Sequence, residues 1–339
     1  MSATALPRPG VGHERIAALR AAHDKVRHEI GTIVVGQEQV VSDVLASFFA
    51  GGHCLITGVP GLAKTLLIST LGKVMDLNFR RIQFTPDLMP SDIIGHELLR
   101  DQDGGRALEF VKGPIFSNIV LADEINRTPP KTQAALLEAM QERQVTSGGI
   151  TRRLDSPFFV LATQNPVEQE GTYPLPLAQQ DRFMFSLKIG YPSAPDEVRI
   201  LDATTAGIPK QPQVVLGAAE LLDAQQLVRA IPVADPIARY LVRLVASSRP
   251  ERPEAPDFVR ELVAIGASLR GSQCLLLAAR ARAALDGRFT VGIADVQAMA
   301  FPVLRHRIVV NFRADATRTD ADAIITQLLR SVPLPQVED

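Results

Sequence analysis

Residues 58–65 form a glycine-containing loop that ends in lysine and threonine and lies between a predicted strand and a predicted helix. The apolar run at residues 53–57 predicts the strand, and residues 66–71 carry apolar side chains at helical spacing. A loop in this setting directs backbone N–H groups at a phosphate, and the N-terminus of the helix adds partial positive charge. The loop therefore predicts that the chain binds a nucleotide.

The loop departs from the strict phosphate-loop pattern at one position, because Ala63 stands where a glycine usually precedes the lysine. Ala63 can still serve in this loop if helical backbone angles begin there, since an alanine then needs no left-handed conformation and favours a helix. With that geometry, the departure leaves the phosphate-binding mechanism intact. The loop residues expected to bind the nucleotide are Val59, Pro60, Gly61, Leu62, Ala63, Lys64 and Thr65.

Composition limits the classes of protein to which the chain can belong. Its 339 residues are 46% hydrophobic and 22% charged, which is typical of a soluble globular protein long enough for two domains. The net charge of -1 gives no electrostatic case for nucleic acid as the main partner. We find neither a signal-peptide core nor a run of about 18 apolar residues that could span a bilayer, and therefore expect a cytoplasmic protein.

Alternation of strand-like and helical segments predicts an α/β fold, a parallel sheet covered by helices. The further strand-like segments are residues 79–84, 119–122, 158–163 and 184–187. Two glycine-containing stretches, at residues 85–116 and 143–154, are predicted to be inserted hairpins.

The character of the sequence changes after residue 192, where helical spacing replaces the alternation. The predicted helices there are residues 195–204, 218–230, 234–248, 258–268, 272–286 and 293–304. We therefore expect a flexible tail at residues 1–12, an α/β nucleotide-binding domain at 13–192 and an all-α domain at 193–339.

The apolar strand at residues 119–122 ends in two adjacent carboxylates, Asp123 and Glu124. In nucleotidases with a phosphate loop, a carboxylate at this strand end holds Mg²⁺, together with the hydroxyl of the loop threonine. Asp123 and Thr65 are thus the predicted ligands of Mg²⁺. A second acid can orient and polarise the attacking water, and Glu124 is the candidate for that role.

Another apolar strand, at residues 158–163, is followed by Asn165. An amide both donates and accepts hydrogen bonds, so Asn165 could contact the γ-phosphate or the water beside it. Taken alone, an Asn-Pro step at the end of a strand is more often a turn.

At this point the chain resembles a known family, the MoxR group of AAA+ ATPases. The matching words are residues 58–65, Asp123-Glu124-Ile125-Asn126-Arg127, Pro129-Pro130-Lys131-Thr132-Gln133, Leu136-Leu137-Glu138-Ala139-Met140, Ala162-Thr163-Gln164-Asn165-Pro166 and Glu170-Gly171-Thr172-Tyr173-Pro174-Leu175-Pro176. Several long sequence motifs in a fixed order make the resemblance specific, and it extends from about residue 33 to residue 311. Alanine before the lysine is usual in this group.

The resemblance implies roles that spacing alone does not. Arg182, in Asp181-Arg182-Phe183, resembles an arginine finger that acts on the nucleotide of a neighbouring subunit. Arg270 resembles the second sensor of a helical lid, and Val35 and Gly36 resemble the turn beside the adenine. The group usually has proline where this chain has Leu269, and an acid where it has Leu177.

For the whole protein, the resemblance implies a Mg²⁺-dependent ATPase with ATP as its nucleotide. It also implies a homo-oligomer, a hexameric ring, that remodels or activates client proteins, often with von Willebrand factor A domain partners and metal-cofactor insertion. The two predicted hairpins match insertions expected in this group, where they face the ring pore or a partner.

Two other function classes fit parts of the pattern. A nucleotide-gated scaffold with little turnover needs the loop but has no use for Glu124, Asn165 and Arg182. A chelatase-type subunit or a nucleic-acid motor could use a similar module, although the net charge and the absence of a basic, aromatic stripe disfavour nucleic acid. Small basic clusters at residues 152–153 and 305–307 are predicted to be solvated surface.

Overall fold

The computed structural model describes residues 12–59, 61–102, 105–165, 171–205 and 211–335. The strands are β1 Cys54–Thr57, β2 Phe79–Gln83, β3 Gly95–Gln102, β4 Gly105–Lys112, β5 Ile119–Asp123, β6 Gln144–Ser147, β7 Ile150–Arg153, β8 Phe159–Gln164, β9 Phe185–Lys188, β10 Val263–Ile265 and β11 Val309–Val310. The first helices are α1 His13–Gly31, α2 Glu38–Ala50, α3 Lys64–Val74, α4 Pro90–Ile94, α5 Pro130–Glu142, α6 Leu177–Gln180 and α7 Ala194–Thr205. The later ones are α8 Ala218–Ala230, α9 Asp235–Ala246, α10 Asp257–Leu262, α11 Leu269–Leu285, α12 Ile293–Leu304, α13 Phe312–Ala316 and α14 Ala321–Ser331.

Five strands form one parallel sheet in the order β2-β5-β8-β1-β9. Each of these strands lies within one or two residues of a predicted strand, and the predicted α/β fold with a parallel sheet is confirmed. Parallel strands place their carboxyl ends at the same edge, so the polar residues that follow β1, β5 and β8 come together there.

Alternating side chains of the central strands pack into two separate apolar clusters. On β5, Ile119 and Leu121 face a cluster that contains α1, α2 and α3, whereas Val120 and Ala122 face a cluster that contains α5. All four side chains are fully buried. Apolar side chains on both faces of a strand require a cover on both sides, which produces three layers.

Strands β3 and β4, and strands β6 and β7, form two antiparallel ladders separate from the parallel sheet. Strands β3 and β4 pair from Gly95↔Lys112 to Gln102↔Gly105, and β6 and β7 pair from Gln144↔Arg153 to Ser147↔Ile150. The ladders touch each other, since the Arg152 guanidinium lies 3.7 Å from the centre of the Phe110 ring. They occupy the segments that the sequence assigns to hairpins, although residues 103 and 104 of the first turn lie outside the described residues.

The carboxyl-terminal part is helical, as predicted, and α11 packs against α1, α2, α8 and α12. The helix predicted over residues 258–268 is wrong from Val263 onward, because Val263 pairs with Val310 and Ile265 pairs with Val309 in an antiparallel ladder. One apolar cluster contains α2 together with α11 and α12. The domain boundaries at residues 12 and 192 stay predictions.

No helix in the described ranges is long and apolar enough to cross a membrane.

Candidate nucleotide-binding site

A cavity of about 440 Å³ opens at the carboxyl ends of β1, β5 and β8. Its walls combine the loop before α3 with the polar residues at the tips of the neighbouring strands. The lining residues are Gly61, Leu62, Ala63, Lys64, Thr65, Leu66, Arg81, Asp123, Glu124, Thr163 and Asn165. The topology thus brings together residues that are about 60 and 100 positions apart in the sequence, as a ligand site at the edge of an open α/β sheet requires.

The loop reaches α3 through two residues in the left-handed region, Gly61 at φ 85° and Ala63 at φ 55°, ψ 19°. Ala63 therefore does not have the helical angles under which an alanine was expected to serve at this position. The chain has to turn between Gly61 and Lys64 before the helix begins, and left-handed angles at Ala63 achieve that turn. This conformation costs an alanine about 1 kcal/mol or more relative to glycine, so the loop holds backbone strain.

Lys64 is the first residue of α3, and its ammonium group donates a hydrogen bond to the Gly58 carbonyl oxygen at 2.7 Å. Partial burial lowers the pKa of Lys64, and the nearby carboxylates of Asp123 and Glu124 oppose that shift. The lysine side chain is thus folded back over its own loop, facing the two acids across the cavity.

Asp123, at the end of β5, has a hydrogen-bond partner on each carboxylate oxygen. Oδ1 accepts from the Thr163 hydroxyl at 2.6 Å, and Oδ2 accepts from Nε and Nη2 of Arg81 at 3.0 and 2.6 Å. The Arg81 side chain is 48% exposed, whereas that of Asp123 is only 14% exposed. The carboxylate is therefore fixed from inside by Thr163 and neutralised from outside by Arg81.

Glu124 also lies in the left-handed region, at φ 57° and ψ 48°. Its N–H donates to the Thr163 hydroxyl oxygen at 2.8 Å, so Thr163 connects the backbone of Glu124 with the carboxylate of Asp123. Oε2 accepts from Gln83 at 3.0 Å and from Arg127 at 3.1 Å. A non-glycine residue held at positive φ in this way is a common feature of active sites.

Four of these contacting residues were not predicted from the sequence: Arg81, Gln83, Arg127 and Thr163. Arg81 and Gln83 alternate on β2, the strand paired with β5, and this spacing places both on the same side of the sheet. That alternation was a usable signal, but it required knowing that β2 and β5 are neighbours. Thr163 and Arg127 stand inside the words that carried the family resemblance.

The other predicted site residues in the described part of the chain lie outside this cavity. Val35 lines a separate cavity of about 410 Å³ beside α1 and Arg199, and Gly36, at φ 74°, packs against Asp196. Neither Arg182 nor Arg270 is among the residues that line the cavity at the strand ends, which is called the phosphate cavity from here on. Val59 precedes the part of the loop that lines it, and Pro60 lies outside the described residues.

The donors in the cavity fit Mg²⁺. Carboxylate and hydroxyl oxygens, here of Asp123 and Thr65, are the ligands this ion prefers, and it usually takes only one or two carboxylates beside phosphate oxygens and water. The described residues contain no group of three or more histidine, cysteine, aspartate or glutamate side chains that could hold a metal ion.

Comparisons with known proteins agree with this geometry. A family described as "ATPase family associated with various cellular activities (AAA)" matches residues 53–185, and one described as "AAA lid domain" matches residues 257–328. A crystal structure of a putative ATPase from Cytophaga hutchinsonii superposes with a TM-score of 0.89 at 41% identity, covering 95% of this chain and 98% of that one.

Named relatives match over nearly the whole chain. The chaperone MoxR1 of Mycobacterium tuberculosis is 43% identical over 97% of this chain and 86% of its own length. The protein MoxR of Paracoccus denitrificans is 31% identical over 89% of this chain and 93% of its own length. An uncharacterised Bacillus subtilis protein, YeaC, is 41% identical over 92% of this chain and 94% of its own length. The chain belongs to the MoxR family of AAA+ ATPases.

Proposed function

We propose that this protein hydrolyses ATP in a Mg²⁺-dependent reaction, works as a hexameric ring and uses hydrolysis to remodel partner proteins. The observation that carries the proposal is the cavity at the strand ends, where Lys64, Asp123, Glu124 and Asn165 face the same space. A site built only to hold a nucleotide needs the loop and the lysine. The second carboxylate and the amide are the additions that hydrolysis requires.

Each residue of the cavity has a distinct proposed role. The loop N–H groups and Lys64 bind the phosphates, and Thr65 and Asp123 hold Mg²⁺. When bound, that ion neutralises charge on the β- and γ-phosphate oxygens. Glu124 orients and polarises the attacking water, while Asn165 contacts the γ-phosphate or that water.

Two arginines and one turn complete the proposed site from outside the cavity. Arg182 is half-buried, and its side chain makes no hydrogen bond or ion pair with any described residue, which suits a guanidinium that acts on a neighbouring subunit. Arg270, in the first turn of α11, is the proposed lid contact with phosphate. Val35, Gly36 and Val59 are proposed to border the adenosine.

A finger that acts on a neighbour requires head-to-tail contacts, and such contacts give a ring where the rotation between subunits closes. The proposed clients are proteins, because the relative named chaperone MoxR1 is similar over nearly the whole chain. Von Willebrand factor A domain proteins and complexes that receive a metal cofactor are the client classes that we would test first.

Steady-state ATPase measurements on wild type and Glu124→Gln test the catalytic part. We expect kcat to fall by about 10²- to 10⁴-fold with nucleotide binding retained, since the amide cannot polarise water as the carboxylate does. Glu138→Gln is the matched control, because Glu138 is exposed on α5 and outside the cavity. Equally slow turnover in all three proteins would favour the nucleotide-gated scaffold instead.

Sedimentation with a nonhydrolysable ATP analogue tests the ring. We expect wild type to assemble at tens of micromolar when the analogue is bound, because ligand binding at a shared site favours the assembled state. Arg182→Ala should assemble less. A monomeric wild type under these conditions would exclude a nucleotide-dependent ring at that concentration.

A further inference from the structure

Arg307, a buried arginine of the lid, donates hydrogen bonds to the segment that carries Arg182. Arg307 follows α12, and only 2% of its surface is exposed although it belongs to the basic cluster predicted to be solvated. That prediction is wrong for Arg307 and for His306, which is 8% exposed. A fully buried arginine is uncommon, and this one needs partners for its charge and its N–H groups.

Those partners lie on both sides of Arg182 in the chain. Nε of Arg307 donates to the Asp181 carboxylate at 2.6 Å, and Nη2 donates to the carbonyl oxygens of Asp181 and Phe183 at 3.0 and 2.7 Å. Nη1 donates to the Met184 carbonyl oxygen at 3.1 Å. One guanidinium therefore holds the backbone immediately before and after Arg182.

The second carboxylate oxygen of Asp181 extends the contact to α11. It accepts a hydrogen bond from the Ser268 hydroxyl at 3.0 Å. Ser268 occupies the N-cap position of α11, yet its side chain makes no capping bond within its own helix. A serine at an N-cap usually accepts from the first turn, so its orientation toward Asp181 ties the start of α11 to the Arg182 segment. Arg270 stands two residues later.

We infer that Arg307 and Asp181 are positioning residues for Arg182. Through these two residues, the lid fixes the position of the arginine finger. The inference rests on the proposed function of Arg182 in a neighbouring subunit. The Arg182 side chain has no hydrogen bond or ion pair inside the described part of its own chain, so its place depends on the backbone that Arg307 holds.

The geometry also explains how one lid could serve two sites. Arg270 and Ser268 belong to the start of α11, and Ser268 contacts Asp181, which precedes Arg182. A lid that shifts when its own nucleotide is bound or lost would therefore move the finger directed at the next subunit. The Ser268–Asp181 hydrogen bond and the Arg307–Asp181 ion pair are the contacts that would transmit this movement.

The test uses the full-length protein and three substitutions. Arg307→Lys keeps the positive charge near Asp181 but loses the planar fork that reaches several acceptors at once. Ser268→Ala removes only the exposed hydrogen bond to Asp181. Arg305→Lys is the matched control, since Arg305 belongs to the same cluster but binds Asp322 and the Ser186 carbonyl oxygen instead.

We expect Arg307→Lys to lower kcat by about 10²-fold, because a displacement of about 1 Å at a catalytic group has effects of that size. Ser268→Ala should lower kcat by a few-fold, and Arg305→Lys should leave it near wild type. The KM for ATP should stay unchanged in all three, since the residues that line the phosphate cavity are intact. A mainly structural defect would lower the folded fraction and the ATP affinity as well.

Mixing with Glu124→Gln subunits separates a positioning defect from a structural one. An Arg307→Lys subunit has an intact phosphate site, and a Glu124→Gln neighbour supplies an intact finger. In rings assembled at random from equal amounts of the two variants, roughly a quarter of the interfaces combine the two in this order and should regain activity. Mixed Arg182→Ala and Glu124→Gln rings should recover in the same way.

Some results would overturn the inference. A folded Arg307→Lys variant whose kcat equals that of the wild type would contradict it. A loss of kcat that is not rescued by mixing with Glu124→Gln subunits would also contradict it. If Arg307→Lys does not fold, Ser268→Ala decides, and wild-type kcat in that variant overturns the inference. Failure of the proposed function looks different: in that case Arg182→Ala itself keeps wild-type kcat, or the wild type does not hydrolyse ATP.

Discussion

Two arginine–aspartate pairs with the same shortest N–O distance, 2.6 Å, lie in two different regions of the molecule. In the phosphate cavity, Arg81 pairs with Asp123, and its side chain is 48% exposed. In the lid corner, defined here as Arg307, Asp181 and Ser268, the Arg307 side chain is 1% exposed. The chemistry of the two pairs is the same, and solvent access separates them.

The difference shows how each region can be used. Water screens the Arg81 pair, so its partners can exchange at little cost when a ligand with its own charges arrives. The Arg307 pair has no such freedom, because a buried guanidinium that loses its carboxylate stays uncompensated. We conclude that the cavity is built to rearrange its charges around a nucleotide, whereas the lid corner is built to hold one backbone arrangement.

The largest expected effect tests this comparison directly. Arg307→Met should lower the free energy of unfolding by about 3–5 kcal/mol, because it leaves the Asp181 carboxylate and the carbonyl oxygens of Asp181, Phe183 and Met184 without their shared donor. Arg81→Met should change it by about 1 kcal/mol or less, because Arg81 is half-exposed and Asp123, which lines the open cavity, keeps its hydrogen bond from Thr163. Chemical unfolding of wild type and both variants measures the two values, and equal effects would contradict the distinction between the regions.

The next prediction concerns a substitution in the phosphate cavity that should weaken nucleotide binding without lowering the stability of the fold. Lys64→Ala should weaken nucleotide binding roughly 10²-fold, because the variant loses a charge-assisted contact with phosphate worth about 3 kcal/mol. Lys73→Ala is the control, since Lys73 is exposed on the last turn of the same helix. Titration with a fluorescent ATP analogue checks both, and similar affinities in the two variants would refute the role of Lys64.

The cavity was largely predictable from the sequence and the lid corner was not. The loop, β1 and β5 are local patterns, and the carboxyl ends of parallel strands bring Lys64 and Asp123 to one edge whatever the rest of the chain does. Arg307 and Asp181 are 126 residues apart and belong to no common pattern. From the sequence, Arg307 is one member of a basic cluster, and only tertiary packing makes it a buried residue.

The failed local expectations have the same cause. Residues 263–265 carry a helix-compatible pattern, but their pairing with β11 outweighs helix propensity. At Ala63, the turn that the loop has to make outweighs the preference of alanine for helical angles. Intrinsic propensity predicts the backbone conformation of a residue correctly only where tertiary contacts do not favour another conformation.

A pH experiment sharpens the comparison at the lid corner. His306, next to Arg307, is buried, and Nε2 donates to the Phe183 carbonyl oxygen at 3.1 Å in the neutral form. Burial and the nearby Arg307 hold the pKa of His306 well below 6.5. Below pH 6.5 the unfolded chain therefore binds a proton that the folded chain does not, so acid lowers the free energy of unfolding by about 1.4 kcal/mol per pH unit from this residue.

Comparison of wild type with His306→Gln isolates that contribution. Glutamine can still donate to the Phe183 carbonyl oxygen but does not titrate, so the variant should lose less stability between pH 7.5 and pH 5. Burial also lowers the pKa of His53, to about 4, and His53 remains in both proteins. Parallel unfolding free energies for the two proteins across this range would contradict the prediction.

The smallest expected effect tests the strain in the phosphate loop, which the lid corner lacks. Ala63→Gly should raise the free energy of unfolding by about 0.5–1 kcal/mol, because relief of the left-handed conformation exceeds the added entropy of glycine in the unfolded chain. The same substitution at Ala21, an exposed alanine in the middle of α1, should instead lower it by about 1 kcal/mol. Opposite signs for one chemical change would identify backbone conformation as the cause, since neither substitution removes a buried side chain, whereas destabilisation at both positions would show that the loop does not hold Ala63 in a strained state.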